Sequence, residues 1–193
     1  MKARKRMHVL KRFILSLVVI SLTACASVEM YKDPKMDFGS IYTVAVMPFS
    51  NLSKEQVAAD RVRDVLMTML LAHGEVYVLP QGEVARGIAM AGVMNPVAPS
   101  KEEMLKFGGL VKVDAVITGV IREYGEVRSG SASANVISLS LQMTEVQTGK
   151  VVLSLSATNG GIGLGDRLFG GGGEPMNVVT EKTIKDAINK IFK

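Results

Sequence analysis

The sequence predicts an α/β fold of one domain, with a mixed central sheet, a C-terminal antiparallel hairpin and flanking helices. Three observations predict it. "VAVM" at 44–47 and "VDAVITGVI" at 113–121 are apolar on both faces, as strands covered by two layers must be. Segments with apolar residues three and four apart lie between such strands, as amphipathic helices do. Late in the chain, "NVISLSLQMTEV" and "VVLSLSA" alternate apolar and hydroxyl side chains on either side of Gln147-Thr148-Gly149-Lys150, a hairpin turn.

The elements follow in order. Ala26 to Ser40, "ASVEMYKDPKMDFGS", is polar, has no long period and reads as a tether. "IYTVAVMPFSN" is the first strand, ended by Pro48 and Asn51. Ser53 followed three residues later by Gln56 has the form of a capping box. Ala58, Val62, Val65, Leu66 and Met69 then recur at helical spacing until Gly74 stops the helix. "EVYVLP" at 75–80 is a short strand, and Glu83 to Ala91 a short helix with Val84, Ile88 and Ala91 on one side. After a loop with Asn95, Pro96 and Pro99, Ser100 and Glu103 form a second capping box. That box opens a helix whose expected end is Gly108-Gly109. "VDAVITGVIREYGEVR" is a long strand that enters the sheet centrally and leaves into solvent. Following a Gly/Ser turn at 129–133, the hairpin puts Ile137, Leu139, Leu141 and Met143 on one face, with Val151, Leu153 and Leu155. The other face carries Ser138, Ser140, Gln142 and Thr144, with Val152, Ser154 and Ser156. The last helix runs from about Asn177 to Phe192, its stripe being Ile184, Ala187, Ile188 and Ile191.

The amino terminus carries a different message. Lys2, Arg4, Lys5, Arg6, Lys11 and Arg12 precede "FILSLVVISLTA", an apolar run of 12 residues that is short of the roughly 20 a spanning helix needs. A basic start, a short apolar core and small residues before a break form a secretory signal. Leu22-Thr23-Ala24-Cys25 resembles the bacterial lipobox, in which a thiol is alkylated by diacylglycerol and the chain is cut just before it. Cysteine suits that reaction because its thiolate is the strongest side-chain nucleophile. The expected division is therefore a signal peptide at 1–24, a lipidated (palmitate-bearing) tether at 25–40 and a periplasmic domain at 41–193. Ala26, rather than Asp, follows the cysteine, which by the same resemblance sends the protein to the outer membrane.

Removing residues 1–24 removes six basic and no acidic residues, leaving 17 against 18, so the mature chain has a net charge of −1. A near-neutral chain without a basic run has no footprint for nucleic acid. Cys25 is the only cysteine, so no internal disulfide is available and the 169 residues from Cys25 onward must hold together by their core.

Chemistry is sparse. Residues 159–175 contain eight glycines between a strand and a helix, where phosphate cradles sit. Gly161-Ile162-Gly163 begins a dinucleotide fingerprint, but Asp166 stands where its third glycine belongs. Gly165 to Gly170 has the P-loop gap, but Gly171-Gly172 replaces Lys-Ser/Thr. The segment reads as a mobile or interface loop instead. His8 leaves with the signal, and His73 closes a helix, where an imidazolium complements the negative end. No metal set and no G-x-S-x-G elbow is present. No enzyme, metal or cofactor is expected. Contact residues are: Ser138, Ser140, Ser154 and Ser156 on the hydroxyl face; Arg122, Glu126 and Arg128 with alternating charge; Leu164, Leu168 and Phe169 in the glycine segment.

"VAVMPFSNLS" at 44–53, "VDAVITGVI" at 113–121 and "SLSLQMTEVQTGKVVLSLSA" at 138–157, with the lipobox, resemble the CsgG/LpoB/PelC/GNA1162 group of bacterial lipoproteins. The resemblance covers nearly the whole mature chain. It implies a fold like the anticodon-binding or TolB amino-terminal domains, and non-enzymatic work in the envelope. CsgG itself has extra transmembrane hairpins, for which the short connection at 129–133 leaves no room. PelC-type members form rings that help guide an exopolysaccharide to its exporter; they often carry a tryptophan where this chain has Leu153. LpoB-type members activate a peptidoglycan synthase through a long leader, against about 15 residues here. The resemblance thus implies a homo-oligomeric accessory to export, with an outer-membrane export protein as partner. Its alternative is a monomeric regulator of an envelope enzyme.

Overall fold

A computed structural model describes residues 27–130, 132–162 and 173–192. The strands are β1 (Ser27–Lys32), β2 (Thr43–Val46), β3 (Ser50–Asn51), β4 (Tyr77–Val78), β5 (Ala115–Ser129), β6 (Ala132–Glu145) and β7 (Val151–Gly160). The helices are α1 (Ala58–His73), α2 (Gln81–Ala91), α3 (Lys101–Val111) and α4 (Met176–Ile191). They build one seven-stranded sheet in the order β1-β7-β6-β5-β2-β4, with β3 paired to β5 as a continuation of β2. β4, β2 and β5 are mutually parallel, and β5, β6, β7 and β1 form an antiparallel meander. The expected mixed sheet with its C-terminal hairpin is the one found.

Two cores follow from the two faces. On one face Val44, Val46, Ile117, Ile121, Leu139, Leu141, Leu153 and Leu155 pack with α1 and α4 through Leu66, Leu70, Ile184 and Ile188. On the other, Ala45, Met47 and Val116 pack with Val84 and Ala91 of α2 and Phe107 of α3. Strand β2 contributes to both, which is why its sequence shows no alternation. The Phe49 ring lies against Gly119, where a Cβ would sit 2.7 Å from it. Asp114 ties the starts of β2 and β5 together, its Oδ2 accepting from the backbone of Tyr42 (2.9 Å) and Thr43 (2.8 Å).

The structure departs from the sequence reading at five places. Residues 27–32 are not aperiodic: they add to the sheet as β1, with Val28 and Met30 opposite Ala157 and Leu155 and with Glu29 and Tyr31 opposite Ser156 and Ser154. Ser53 does not cap α1. Asn51 Nδ2 donates to the carbonyls of Glu55 (2.8 Å) and Gln56 (3.2 Å), holding the segment as a turn, and the helix begins only at Ala58. Gly108-Gly109 does not end α3, which continues to Val111 and stops at Lys112 in the left-handed region. Gly108 is there for close approach, since a Cβ would meet Val146 at 2.3 Å. In β7, Val152 does not join the hydroxyl face. The register slips by one residue between Met143–Leu153 and Thr144–Val151, so Val152 turns into the core while Val151 is 40% exposed. The hairpin turn at 129–133 is tighter than expected, with Ser129 already paired to Ala132. The second capping box forms as read, with Ser100 Oγ accepting from the Glu103 backbone.

Candidate functional site

Helices α1 and α4 cover their face of the sheet, whereas α2 and α3 lie over the β2–β5 side of the other. Among the described residues no helix covers that second face around Ser140 and Gln142 of β6, Ser154 and Ser156 of β7, and Tyr31 of β1. Cross-strand pairing lays out the surface: Glu29–Ser156–Ser140–Val120 is one row and Tyr31–Ser154–Gln142–Thr118 the next. Ser140, Ser154 and Ser156 are half-buried, and Gln142 and Tyr31 are exposed. Beside α3 the surface drops into a groove of about 320 Å³, with Thr118, Ser140, Gln142 and Val151 from the strands and Pro99 and Met104 along its side.

The site residues read from the sequence divide into three sets. Ser140, Ser154 and Ser156 share the open face. Ser138 lies in the same register but is buried, its hydroxyl 3.0 Å from Thr158 Oγ1. Arg122 is the extra residue of a bulge between Ile121 and Glu123. The bulge swings its guanidinium over the hydroxyl rows, where Nη2 donates to Leu139 O (3.1 Å) and Ser156 Oγ (2.5 Å). Glu126 and Arg128 sit farther out on β5 and pair with each other at 2.9 Å. The hydrogen bond from Arg128, then one with Ser133, holds the Glu126 carboxyl below the usual carboxylate range; Glu126 raises Arg128 in turn. Cys25, Leu164, Leu168 and Phe169 lie outside the described residues, as does most of the glycine segment tested for phosphate motifs.

Sequence reasoning missed Glu29, Tyr31 and Thr118 as members of this face, whereas Gln142 stands on it as the alternation of β6 predicts. The signal for the first two was the alternation in "SVEMYK", masked by the polar residues after it. His73 does more than close α1: its ring stacks on Phe192 at 5.0 Å and joins the two helices. The carboxyl end of β2, the usual ligand position in α/β sheets, is filled from within. Arg63 of α1 donates to Val46 O through Nη2 (2.6 Å) and Nε (3.2 Å), and burial pulls its pKa down despite Asp60. Among the described residues, no three His, Cys, Asp or Glu side chains converge in a way that could hold a metal ion, and no helix is long and apolar enough to cross a membrane.

A seven-stranded mixed sheet with helices on both faces defines the class: a single-domain α/β protein that, among the described residues, leaves a polar sheet surface uncovered. The chain belongs to the peptidoglycan-synthase activator LpoB family, which it matches over residues 18–156. Comparison with proteins of curated function finds no match. Among solved structures the fold is similar to the PelC dodecamer from Paraburkholderia phytofirmans, at 14% identity and a TM-score of 0.59, covering 86% of this chain and 97% of that one. It is also similar to lipoprotein GNA1162 from Neisseria meningitidis, at 19% identity and a TM-score of 0.56, covering 78% and 98%. The hypothetical protein CT253 from Chlamydia trachomatis shares the fold at 13% identity and a TM-score of 0.51, covering 79% and 96%. The family resemblance carried by the strand motifs therefore holds, and so does the fold class it implied.

Proposed function

We propose that this chain is a lipid-anchored outer-membrane protein facing the periplasm. On this reading it is a non-enzymatic, oligomeric accessory to the export or assembly of an envelope polymer. The observation that carries the proposal is the position of β1. With Cys25 as the lipidated residue, the sheet begins two residues later, so at most about 7 Å of backbone separates anchor from fold. A protein held so close works at the membrane, where an export complex stands, and cannot reach across the periplasm.

PelC, which shares the fold, is a dodecamer, and that supports assembly here. A small domain tethered at one end packs naturally head to tail into a closed ring. The hydroxyl rows of Ser140, Ser154 and Ser156 with Arg122, and Leu164, Leu168 and Phe169, are the subunit contact residues we assign; the Glu126–Arg128 pair lies farther out, toward the tip of the β5–β6 hairpin. Mass measurement of the acyl-free domain at high concentration tests this. A multimer is expected, and a strict monomer overturns it.

The family description favours a second reading, a monomeric lipoprotein that binds and activates a peptidoglycan synthase. Replacing Leu164, Leu168 and Phe169 with polar residues separates the two. An assembly dissociates, whereas a monomeric activator keeps its mass and loses only its capture of the synthase.

A further inference from the structure

The direction in which the chain leaves β1, together with the length of the β5–β6 hairpin, has a consequence for how the molecule meets a bilayer. Ser27 pairs with Thr158, which pairs with Ser138. From that row, the amino end of β1 points toward the end of the sheet that holds the end of β7 and the β5–β6 turn. Even fully extended, Ala26 brings Cys25 only level with the Gly160–Val136 pair. The hairpin continues four residues past that pair, to Ala132 and Ser129, an overhang of about 13 Å at 3.3 Å per residue. Its midline is two to three strands from β1, about 12 Å to the side.

A sheet standing end-on to the membrane would therefore drive this tip about 13 Å deeper than the anchor sulfur. The tip carries Arg128 and Glu126, with side chains 76% and 43% exposed, and charged groups are expensive inside hydrocarbon. Inclining the strands removes the conflict. With about 13 Å along the strands and about 12 Å across them, anchor and tip reach the membrane plane together when the strands lean about 45° from its normal.

We infer that the β5–β6 hairpin tip is a second membrane contact, resting on phospholipid headgroups and setting the protein's tilt. The inference rests on the anchor at Cys25 proposed above. The tip's chemistry fits a zwitterionic headgroup: the exposed Glu126–Arg128 pair, on opening, offers a guanidinium fork to the phosphate and a carboxylate to the ammonium. Ser129 and Ser133 add small neutral hydroxyls, and Val127, 38% exposed, is an apolar body that tolerates the interface.

The test uses the full acylated protein in vesicles of phosphatidylethanolamine with minor phosphatidylglycerol. Ser129→Cys and, at the opposite end of the sheet, Thr148→Cys carry nitroxide labels, while flotation of the vesicles reports the anchor independently. The label at 129 is expected at headgroup depth and several-fold less accessible to a water-soluble nickel relaxant than the label at 148. Adding Glu126→Gln and Arg128→Gln is expected to return it toward water without loss of flotation. Floating protein whose two labels are equally accessible overturns the inference and leaves the anchor standing, and so does a label at 129 buried in hydrocarbon. Protein that does not float overturns the anchor and the inference together.

Discussion

Gly119 is a residue whose identity is dictated by a single neighbour, the Phe49 ring that lies on it. Gly119→Ala puts a methyl into that ring, and overpacking of this kind costs about 1–3 kcal/mol; urea denaturation of the variant is expected to show a lower midpoint at unchanged slope. Glu103 is set by the groups it accepts from. Its carboxylate takes the backbone N–H of Met94 (2.8 Å) and of Ser100 (2.7 Å), and the Met94 bond, followed by those to Ser100, lowers its pKa. A carboxyl lowered in the folded state stabilises above its unfolded value, about 4.3, because there both states are charged and only the fold supplies the donors. As pH falls through that value the unfolded chain takes up its proton first, and the stabilisation is lost by the time the folded carboxyl is protonated. Compared across pH, wild type should exceed Glu103→Gln near neutrality and lose that margin as pH falls through the lowered value of the folded carboxyl. A difference that stayed constant would mean that Glu103 acts through packing. Both assignments needed tertiary structure: neither Phe49 nor Met94 is close to its partner in any pattern read along the chain.

Among the elements, α4 shows how much periodicity can determine. Its stripe of Ile184, Ala187, Ile188 and Ile191 was legible from spacing alone, and all four are buried against the sheet. Ile184→Ala leaves a cavity in the core that also holds Leu139 and Leu155 and should cost about 2–5 kcal/mol, read as a fall in thermal midpoint. The boundaries of α1 and α3 were not legible in the same way. Ser53 has the sequence form of a cap, but Asn51 reaches the carbonyls of 55 and 56 first. Gly108 has the sequence form of a stop, but what it answers to is Val146 on another element. In β7 the alternation was right except at Val151 and Val152, where a bulge shifts the register and exchanges their faces. A bulge has no signature in a run of alternating residues that remains plausible in either phase.

For the whole molecule, the deciding feature is β1, which closes the sheet and covers the edge of β7. Lys190 Nζ donates to Val28 O at 2.8 Å, so α4 also holds this strand in place. A chain beginning at residue 27 should keep one defined assembly state, whereas one beginning at residue 33 exposes β7 from Leu153 to Thr158 as an unpaired edge. Light scattering should show the shorter chain polydisperse, with amide exchange in 151–160 accelerated. If both chains behave alike, β1 is dispensable and the residues after Cys25 are a tether after all.

The sequence by itself determined the α/β class, the central strands, the hairpin, the helix faces and the family. These rest on periodicity and on which residues avoid water, and both repeat along the chain. Tertiary structure alone decided that β1 joins the sheet, that Arg122 turns over the hydroxyl rows, and that no helix among the described residues covers those rows. Those outcomes depend on main-chain pairing and on contacts between residues far apart in sequence, where a strand's place is set by its neighbours more than by its own composition.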